Sequence, residues 1–164
     1  MELRLGKKED IEIILEILRE VVKNNNKYTN WSDEYPSREI VNNDINSKEL
    51  YVIVKDNNII GAVTLNEVED SNYSKIKWSN SGKAVVVHRL FISSKENGKG
   101  YGKEVVKEIM ELSKKLNYCH IRLDTHENNI IAQGLYEKSG FTSMGKIDFQ
   151  EIGGKFYMYE YNIL

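Results

Sequence analysis

Cysteine and proline are almost absent from this chain, and each occurs once, as Cys119 and Pro36. A single cysteine excludes an intrachain disulfide framework and predicts a reducing, cytoplasmic environment. A long apolar run is missing too. Residues 1–18 carry acids and bases throughout, which predicts neither a signal peptide nor a membrane span.

An excess of one charge is also missing. The 23 lysines and arginines nearly balance the 25 aspartates and glutamates, so the formal net charge is −2, and no block of basic residues stands out. This balance gives no reason to expect nucleic acid as a partner. The length of 164 residues and the 40% hydrophobic content instead predict one domain with a well-formed core, spanning residues 1–164.

What the chain does have is a glycine-rich stretch at residues 97–103 (NGKGYGK). It follows an apolar, β-branched segment at residues 84–92 (AVVVHRLFI) and precedes a helical pattern carried by Val105, Ile109 and Leu112. A strand, a glycine turn and a helix start form a geometry that binds phosphate, because backbone N–H groups converge there at the positive end of the helix dipole. The stretch therefore predicts an anion-binding loop.

Two familiar phosphate-binding motifs do not fit this stretch. A P-loop would need glycine where the chain has Asn97, and serine or threonine where it has Glu104. The dinucleotide motif GxGxxG would place its third glycine at Lys103 or Val105. From these residues alone, a flexible turn that caps a surface helix stays open as an alternative.

A second segment, residues 120–141, combines a strand with a helix. Residues 120–125 (HIRLDT) alternate apolar and polar side chains, which predicts a strand. Gly140 stands where glycine commonly ends a helix, and Phe141 would begin the next strand. The residues between them include Asn129, Ala132, Leu135, Tyr136 and Lys138.

The two segments together resemble the GNAT superfamily of acyl-CoA-dependent N-acyltransferases. Residues 97–103 are similar to its pyrophosphate loop (Gln or Arg, two residues, Gly, one residue, Gly or Ala), with Asn97 at the first position. Residues 129–141 are similar to its Asn-x-x-Ala-x-x-Leu-Tyr-x-Lys-x-Gly-Phe helix, which lies beside the acyl thioester. Residues 31–36 (WSDEYP) resemble a bacterial subgroup of largely unassigned acetyltransferases, which also carry His-Arg-Leu and Asp-Thr-His segments.

The remaining periodicity predicts the element order β-α-α-β-β-β-α-β-α-β-β. The resemblance implies a single-domain α/β GNAT fold, with a mixed central sheet of about seven strands and helices on both faces. It also implies that acetyl-CoA lies in a wedge between the strands at 84–92 and 120–125, and that the backbone of residues 90–92 pairs with the pantetheine arm. The residues that would bind this co-substrate are Leu90, Phe91, Ile92, Asn97, Gly98, Lys99, Gly100, Tyr101, Gly102, Lys103, Asn129, Ala132 and Tyr136.

Tyr136 is the candidate general acid. A phenol has a reference pKa of about 10 and a thiol about 8.5, so Tyr136 is protonated at neutral pH and can hydrogen-bond the departing sulfur. A tyrosine that simply packs under the sheet is the alternative.

His88 is the candidate general base, because it is expected to share a strand face with Leu90 and Ile92 and to face the acceptor. A histidine held by hydrogen bonds within the sheet is the alternative. Asp124 and His126, at the C-terminal end of a strand where α/β sites gather, are further candidates that would also bind the acceptor. Another candidate for the base is Glu127. The spacing of histidine and cysteine does not argue for zinc, so no metal is expected.

Trp31 and Tyr35 are candidates for the acceptor wall, either hydrophobic or cation-binding, beside Asp33 and Glu34. A loop tied down by two aromatic rings is the alternative. The favoured function is an N-acetyltransferase that moves an acetyl group from acetyl-CoA directly to a primary amine of a small molecule or protein. The competing function is a catalytically silent acyl-CoA-binding sensor or interaction module. The acceptor's identity, the acyl chain length and a homodimeric state stay open.

Overall fold

The computed structural model describes residues 1–25, 31–79 and 82–163. Over these residues the chain forms four α-helices and seven strands, in the predicted order. The helices are α1 (Ile11–Asn25), α2 (Arg38–Asn46), α3 (Tyr101–Lys115) and α4 (Ile130–Lys138). The strands are β1 (Glu2–Leu5), β2 (Leu50–Lys55), β3 (Asn58–Asn66), β4 (Ala84–Ile92), β5 (His120–His126), β6 (Thr142–Asp148) and β7 (Lys155–Asn162).

The strands form one sheet in the order β1-β2-β3-β4-β5-β7-β6. Every neighbouring pair is antiparallel except β4 and β5, which run parallel and are joined through α3. This arrangement confirms the predicted α/β fold with a mixed seven-stranded sheet.

Helices cover both faces of the sheet, as predicted. On the α3–α4 face, Val85 and Val87 pack with Val105 and Ile109 of α3 in one buried cluster. The α1–α2 face includes a cluster around α1 and α2, and a smaller cluster built on Tyr73 of the 3₁₀ turn Ser71–Lys75. Each fully buried aliphatic side chain stabilises the fold by about 1.5–3 kcal/mol, so both faces contribute to holding the sheet.

A β-bulge interrupts β4 in its middle. Ala62 of β3 pairs with Phe91 and Thr64 with His88, so two steps along β3 match three along β4. Arg89 lies in the extra step with a φ of 49°, a left-handed conformation that is uncommon for a residue with a side chain. The bulge shifts the alternation of side chains by one residue.

The bulge overturns one expectation about His88. Val87 packs into the same cluster as Leu90 and Ile92, on the α3–α4 face, so His88 lies on the other face. Its partner Thr64 hydrogen-bonds Asp44 of α2, which places both on the α1–α2 face. The prediction that His88 shares a strand face with Leu90 and Ile92 is therefore wrong, because strict alternation does not survive an inserted residue.

The parallel pair β4–β5 separates soon after it begins. Pairing is confined to Ala84 with His120, Val85 with Ile121 and Val86 with Arg122. Beyond Val86 the two strands diverge, while β5 stays paired with β7 along its whole length. The sheet thus opens into a wedge between the two strands, as predicted.

Candidate active site

A single cleft of about 1220 Å³ occupies the wedge and connects both faces of the sheet. It is lined by β4, β5, the glycine loop, the first turn of α3, the inner side of α4, and the 3₁₀ turn Ser71–Lys75. Most residues predicted for the site line it. The exceptions are Lys99, whose ammonium instead pairs with Glu96 at 2.8 Å, and the carboxylates Asp33, Glu34 and Glu127. The fold therefore brings together residues that lie far apart in the sequence.

The glycine loop presents a row of free backbone donors. Gly98 and Gly100 have φ values of 77° and 78°, and a Cβ at either position would meet no atom within 4 Å. In the described part of the chain, no protein acceptor binds the N–H groups of residues 98–102. Five consecutive free N–H groups at the start of α3 form an anion-binding nest, where the helix dipole adds to the attraction.

Asn129 begins α4 as its N-cap. Its side-chain carbonyl accepts a hydrogen bond from the backbone N–H of Ala132 at 3.1 Å, which leaves the side-chain amide available to the cleft. The helix ends as predicted at Gly140, which has a φ of 91°. The N–H of Gly140 donates to the carbonyl of Glu137, and that of Phe141 donates to the carbonyl of Tyr136.

Tyr136 lies on α4, buried on the α3–α4 face against the rings of Phe141 and Tyr159. Its hydroxyl has no hydrogen-bond partner among the described residues, although the side chain lines the cleft. Burial, followed by the charge of Asp124, raises the pKa of Tyr136 above its ordinary value. The phenol therefore stays protonated across the physiological pH range.

His88 lies on the opposite side of the cleft, half-buried on the α1–α2 face. Its Nε2 is 3.1 Å from the carbonyl oxygen of Val68. Because a carbonyl only accepts, Nε2 carries the proton and Nδ1 of the neutral ring holds the lone pair. Burial and then the neighbouring Arg89 lower the pKa of His88, so the ring is neutral at pH 7.

Asp124 lies on β5, on the same face as His88. The hydroxyl of Tyr73 donates to its Oδ2 at 2.8 Å. Burial raises the pKa of Asp124, the Tyr73 hydrogen bond lowers it, and the charge of Asp70 raises it.

Tyr73 was missed by sequence reasoning. It sits 51 residues from Asp124 in a polar stretch, almost completely buried against the ring of Trp78. The one available signal was the presence of two large aromatic residues in an otherwise polar segment.

The other two candidates for the base near the end of β5, His126 and Glu127, have different surroundings. The Nδ1 of His126 accepts a hydrogen bond from the N–H of Asn128 at 3.1 Å, and its ring packs edge-on against Phe156. Glu127 pairs with Lys146 at 2.7 Å, which lowers the pKa of its carboxyl group, and it does not line the cleft. The geometry therefore places His126 in the site and Glu127 outside it.

Aromatic and apolar side chains line both ends of the cleft on the α1–α2 side. Trp31 packs edge-on against Phe91 with ring centroids 5.9 Å apart, and Tyr35 is 38% exposed at the cleft rim. Sequence reasoning did not find the opposite wall, which the β6–β7 hairpin contributes. That wall consists of Phe149, Ile152 and Phe156.

Residues 1–25, 31–79 and 82–163 contain neither a metal-binding cluster nor a membrane-spanning helix. No group of three or more histidine, cysteine, aspartate or glutamate side chains is placed to hold a metal ion. None of the helices in these ranges has the length and apolar character needed to cross a membrane.

Comparison with known proteins decides the family. The family model described as "Acetyltransferase (GNAT) family" matches residues 15–141, which include the glycine loop, both strands of the wedge and α4. The chain belongs to the GNAT acetyltransferase family.

Individual relatives agree with the family at the level of sequence and fold. The spermine/spermidine N(1)-acetyltransferase of Bacillus subtilis (strain 168) is 38% identical over 71 residues, or 43% of this chain, and the match spans about half of that relative (47%). A GNAT-family acetyltransferase from Streptococcus agalactiae 2603 superposes with a TM-score of 0.83 at 22% identity, covering 98% of this GNAT chain and 94% of the other. The YncA protein of Salmonella typhimurium, solved with its cofactor acetyl-CoA, has a TM-score of 0.73 at 13% identity, covering 100% and 94%.

Proposed function

We propose that this GNAT protein transfers an acetyl group from acetyl-CoA to a primary amine, directly and within a ternary complex. The observation that carries the proposal is the cleft itself, which joins the loop donors, the wedge and Tyr136 in one continuous space. The acetyl-CoA bound by YncA, which shares the fold, supports the choice of donor.

The residues present fit acetyl-CoA. The five free N–H groups at residues 98–102 match a pyrophosphate, and the open space at Gly98 and Gly100 lets it approach the main chain. Beyond Val86, the edges of β4 and β5 that face the wedge are left to pair with an extended ligand, such as a pantetheine arm along residues 90–92. Asn129 and Ala132 border this path on α4. When bound, the co-substrate supplies an activated acetyl thioester.

The proposed general acid and general base lie on opposite faces of the sheet. Tyr136 on the α3–α4 face acts as general acid and protonates the sulfur as the thiol leaves. A base on the α1–α2 face takes the proton of the incoming amine, and sequence reasoning nominates His88 for this role. The incoming amine thus gives its first proton to one side of the wedge, and the leaving sulfur takes a proton from the other side.

The acceptor side favours a cationic amine. Glu69, Asp70 and Asp124 line the cleft there. Glu69 is paired with Arg122, and the cleft-lining Arg89 is paired with Asp44, which leaves Asp70 and Asp124 without an ion pair among the described residues. Trp31, Tyr35 and the β6–β7 wall offer aromatic and apolar surface for the carbon chain of the amine. The spermine/spermidine acetyltransferase of B. subtilis supports a polyamine-like acceptor, carried either by a small molecule or by a protein side chain.

Calorimetric titration with acetyl-CoA, with free CoA and ATP as comparisons, tests the donor. We expect saturable binding of acetyl-CoA and CoA but not of ATP. Thiol release with a panel of amines, from spermidine to neutral amino acids, then tests the reaction. Absence of binding would contradict the donor site, and binding without thiol release would support the silent binding module.

A further inference from the structure

Asp124 is a carboxylate inside the cleft without a cation to balance it. Its hydrogen-bond partner is the neutral hydroxyl of Tyr73 at 2.8 Å, and no lysine, arginine or histidine pairs with it in the described parts of the chain. Two neighbouring carboxylates do have cationic partners, since Glu69 pairs with Arg122 and Asp44 pairs with Arg89. A half-buried charge left in this way is costly to the fold, so a role in the site explains why it is there.

Electrostatics separate Asp124 from His88 as proton acceptors. Protonating His88 would create a second cation next to the guanidinium of Arg89, which burial and that charge both oppose. Protonating Asp124 would instead remove a negative charge from a buried position beside Asp70. Burial and Arg89 thus lower the pKa of His88, whereas burial and Asp70 raise the pKa of Asp124, so the surroundings weaken one proton acceptor and strengthen the other.

We propose that Asp124 takes the proton of the acceptor's ammonium group, and that Tyr73 holds the carboxylate in position. The assignment rests on the proposed acetyl transfer and names the base for it. Asp124 uses one oxygen for Tyr73, so the other remains free to meet the ammonium group in the cleft.

The step balances in atoms and electrons. An ammonium N–H bond breaks and its proton moves to Asp124, which leaves the electron pair on nitrogen. Nitrogen forms the C–N bond to the thioester carbon, the C–S bond breaks, and Tyr136 gives its proton to sulfur. A second proton from nitrogen restores Tyr136, and Asp124 returns its proton to the solvent, so one proton is released for each acetamide formed.

Several titratable or charged groups surround Asp124, and each enters the interpretation of a pH profile. The β7 residue paired with it, Met158, is uncharged. The groups that carry or can carry charge are Tyr73, Asp70 and Glu69 from the segment before β4, Tyr136 from α4, His88 from β4, and Arg122 and His126 on the same face of β5.

The test is the pH dependence of thiol release with saturating spermidine and acetyl-CoA. Asp124 must be ionised to act, so activity should fall below its pKa and give an acidic limb in the profile. We expect Asp124→Asn to lower kcat by about 100-fold or more and to abolish this limb. Calorimetric binding of acetyl-CoA should be unchanged, which would show that the nearly isosteric variant is folded.

Two neighbouring variants should move the limb in opposite directions. Tyr73→Phe removes a hydrogen bond that lowers the pKa of Asp124, so the limb should shift to higher pH. Asp70→Asn removes a charge that raises it, so the limb should shift to lower pH. Asparagine at position 70 can still accept from the N–H of Asn72, which preserves the cap of the 3₁₀ turn. A merely structural role for Tyr73 would not move the limb upward.

His88→Gln tests His88 as the alternative general base. The inference is overturned if His88→Gln abolishes the acidic limb, or if Asp124→Asn keeps kcat within threefold of the unmodified protein. Failure of the proposed function looks different, because the unmodified protein would then bind acetyl-CoA and release no thiol with any amine. That result would overturn both proposals together.

Discussion

On the α3–α4 side of the cleft the groups poised for a ligand belong mostly to the main chain, whereas on the α1–α2 side they belong to side chains. The first side offers the N–H groups of residues 98–102 and the open edges of β4 and β5. The second offers His88, Asp124 and Tyr73, each held by contacts with elements distant in the sequence.

The two kinds of site differ in how much sequence change they tolerate. A main-chain site depends on backbone conformation, so most side chains along it can change while the geometry survives. A site built from side chains depends on which residues of a strand face it. One inserted residue turns the following side chains to the other face of the sheet and so changes the site. A family can therefore keep one donor while its acceptors diverge.

On the α3–α4 side, the largest effect is expected at Tyr136, the one position where this side uses a side chain in the proposed chemistry. Tyr136→Phe should lower kcat at least about tenfold, because the departing thiolate loses its proton donor, while acetyl-CoA binding stays within about twofold. Steady-state thiol release and calorimetry measure the two quantities. Unchanged turnover would remove Tyr136 from the acid role.

Tyr159→Phe is the matched control for that variant. It removes the hydroxyl of a neighbouring buried tyrosine, which donates to Glu137 at 2.9 Å and does not line the cleft. We expect a loss of stability of about 1 kcal/mol and kcat within about twofold. An equal loss of kcat in both variants would point to core packing instead of acid catalysis.

A smaller effect, on binding alone, is expected when the loop backbone is disturbed. Valine at Gly100 would have to adopt a φ of 78°, which costs about 1–2 kcal/mol, so the loop should leave the conformation in which its N–H groups converge. We expect Gly100→Val to raise the Kd of acetyl-CoA about tenfold. Normal affinity in this variant would count against the loop as the pyrophosphate site.

Gly153→Val is the matched control for Gly100→Val, at a position outside the loop. Gly153 lies in the β6–β7 turn with a φ of 74°, and a Cβ there would also meet nothing within 4 Å. The backbone strain is therefore the same, but the position lies outside the loop. The control should lose similar stability and keep its affinity for acetyl-CoA.

Sequence reasoning found the main-chain side more completely than the side-chain side, for a physical reason. Glycine spacing at residues 97–103 and the alternation at 120–125 are local patterns, and local patterns determine whether a loop or a strand forms. The order of elements and the Gly140 helix end follow from such patterns, the wedge follows from the resemblance to the GNAT superfamily, and the structure has all three as predicted.

The α1–α2 side depends on contacts that no local pattern records. The bulge at Arg89 is a property of how β3 and β4 pair, so the face of His88 could not be obtained from alternation within β4. Tyr73 meets Asp124 across 51 residues, through a polar segment without strand or helix periodicity. Asp124 itself was found from its position at a strand end, but its partner was not.

On the side-chain side, a modest effect is expected at the cleft rim. Tyr35→Ala should raise the KM for spermidine about two- to fivefold with kcat unchanged, since an exposed cation–π contact is worth about 0.5–1 kcal/mol. Ile13→Ala is a suitable control, because Ile13 is 37% exposed against 38% for Tyr35 but lies on α1 outside the cleft. An unchanged KM would leave Tyr35 as a residue that only holds its loop.

The smallest effect is expected at Asn97, the loop position at which the chain differs from the usual Gln or Arg of the family. Asn97 is exposed at the cleft edge, so an arginine there would form a solvent-screened contact with a pyrophosphate, worth about 0.2–1 kcal/mol. Asn97→Arg should therefore tighten acetyl-CoA binding by only about 1.4- to 5-fold, and the gain should vanish at high salt. Asn97→Gln, which adds reach without charge, separates the two contributions. A gain much larger than this range would mean that a side chain, not the main chain, dominates anion binding at the loop, and the contrast between the two sides of the cleft would fail.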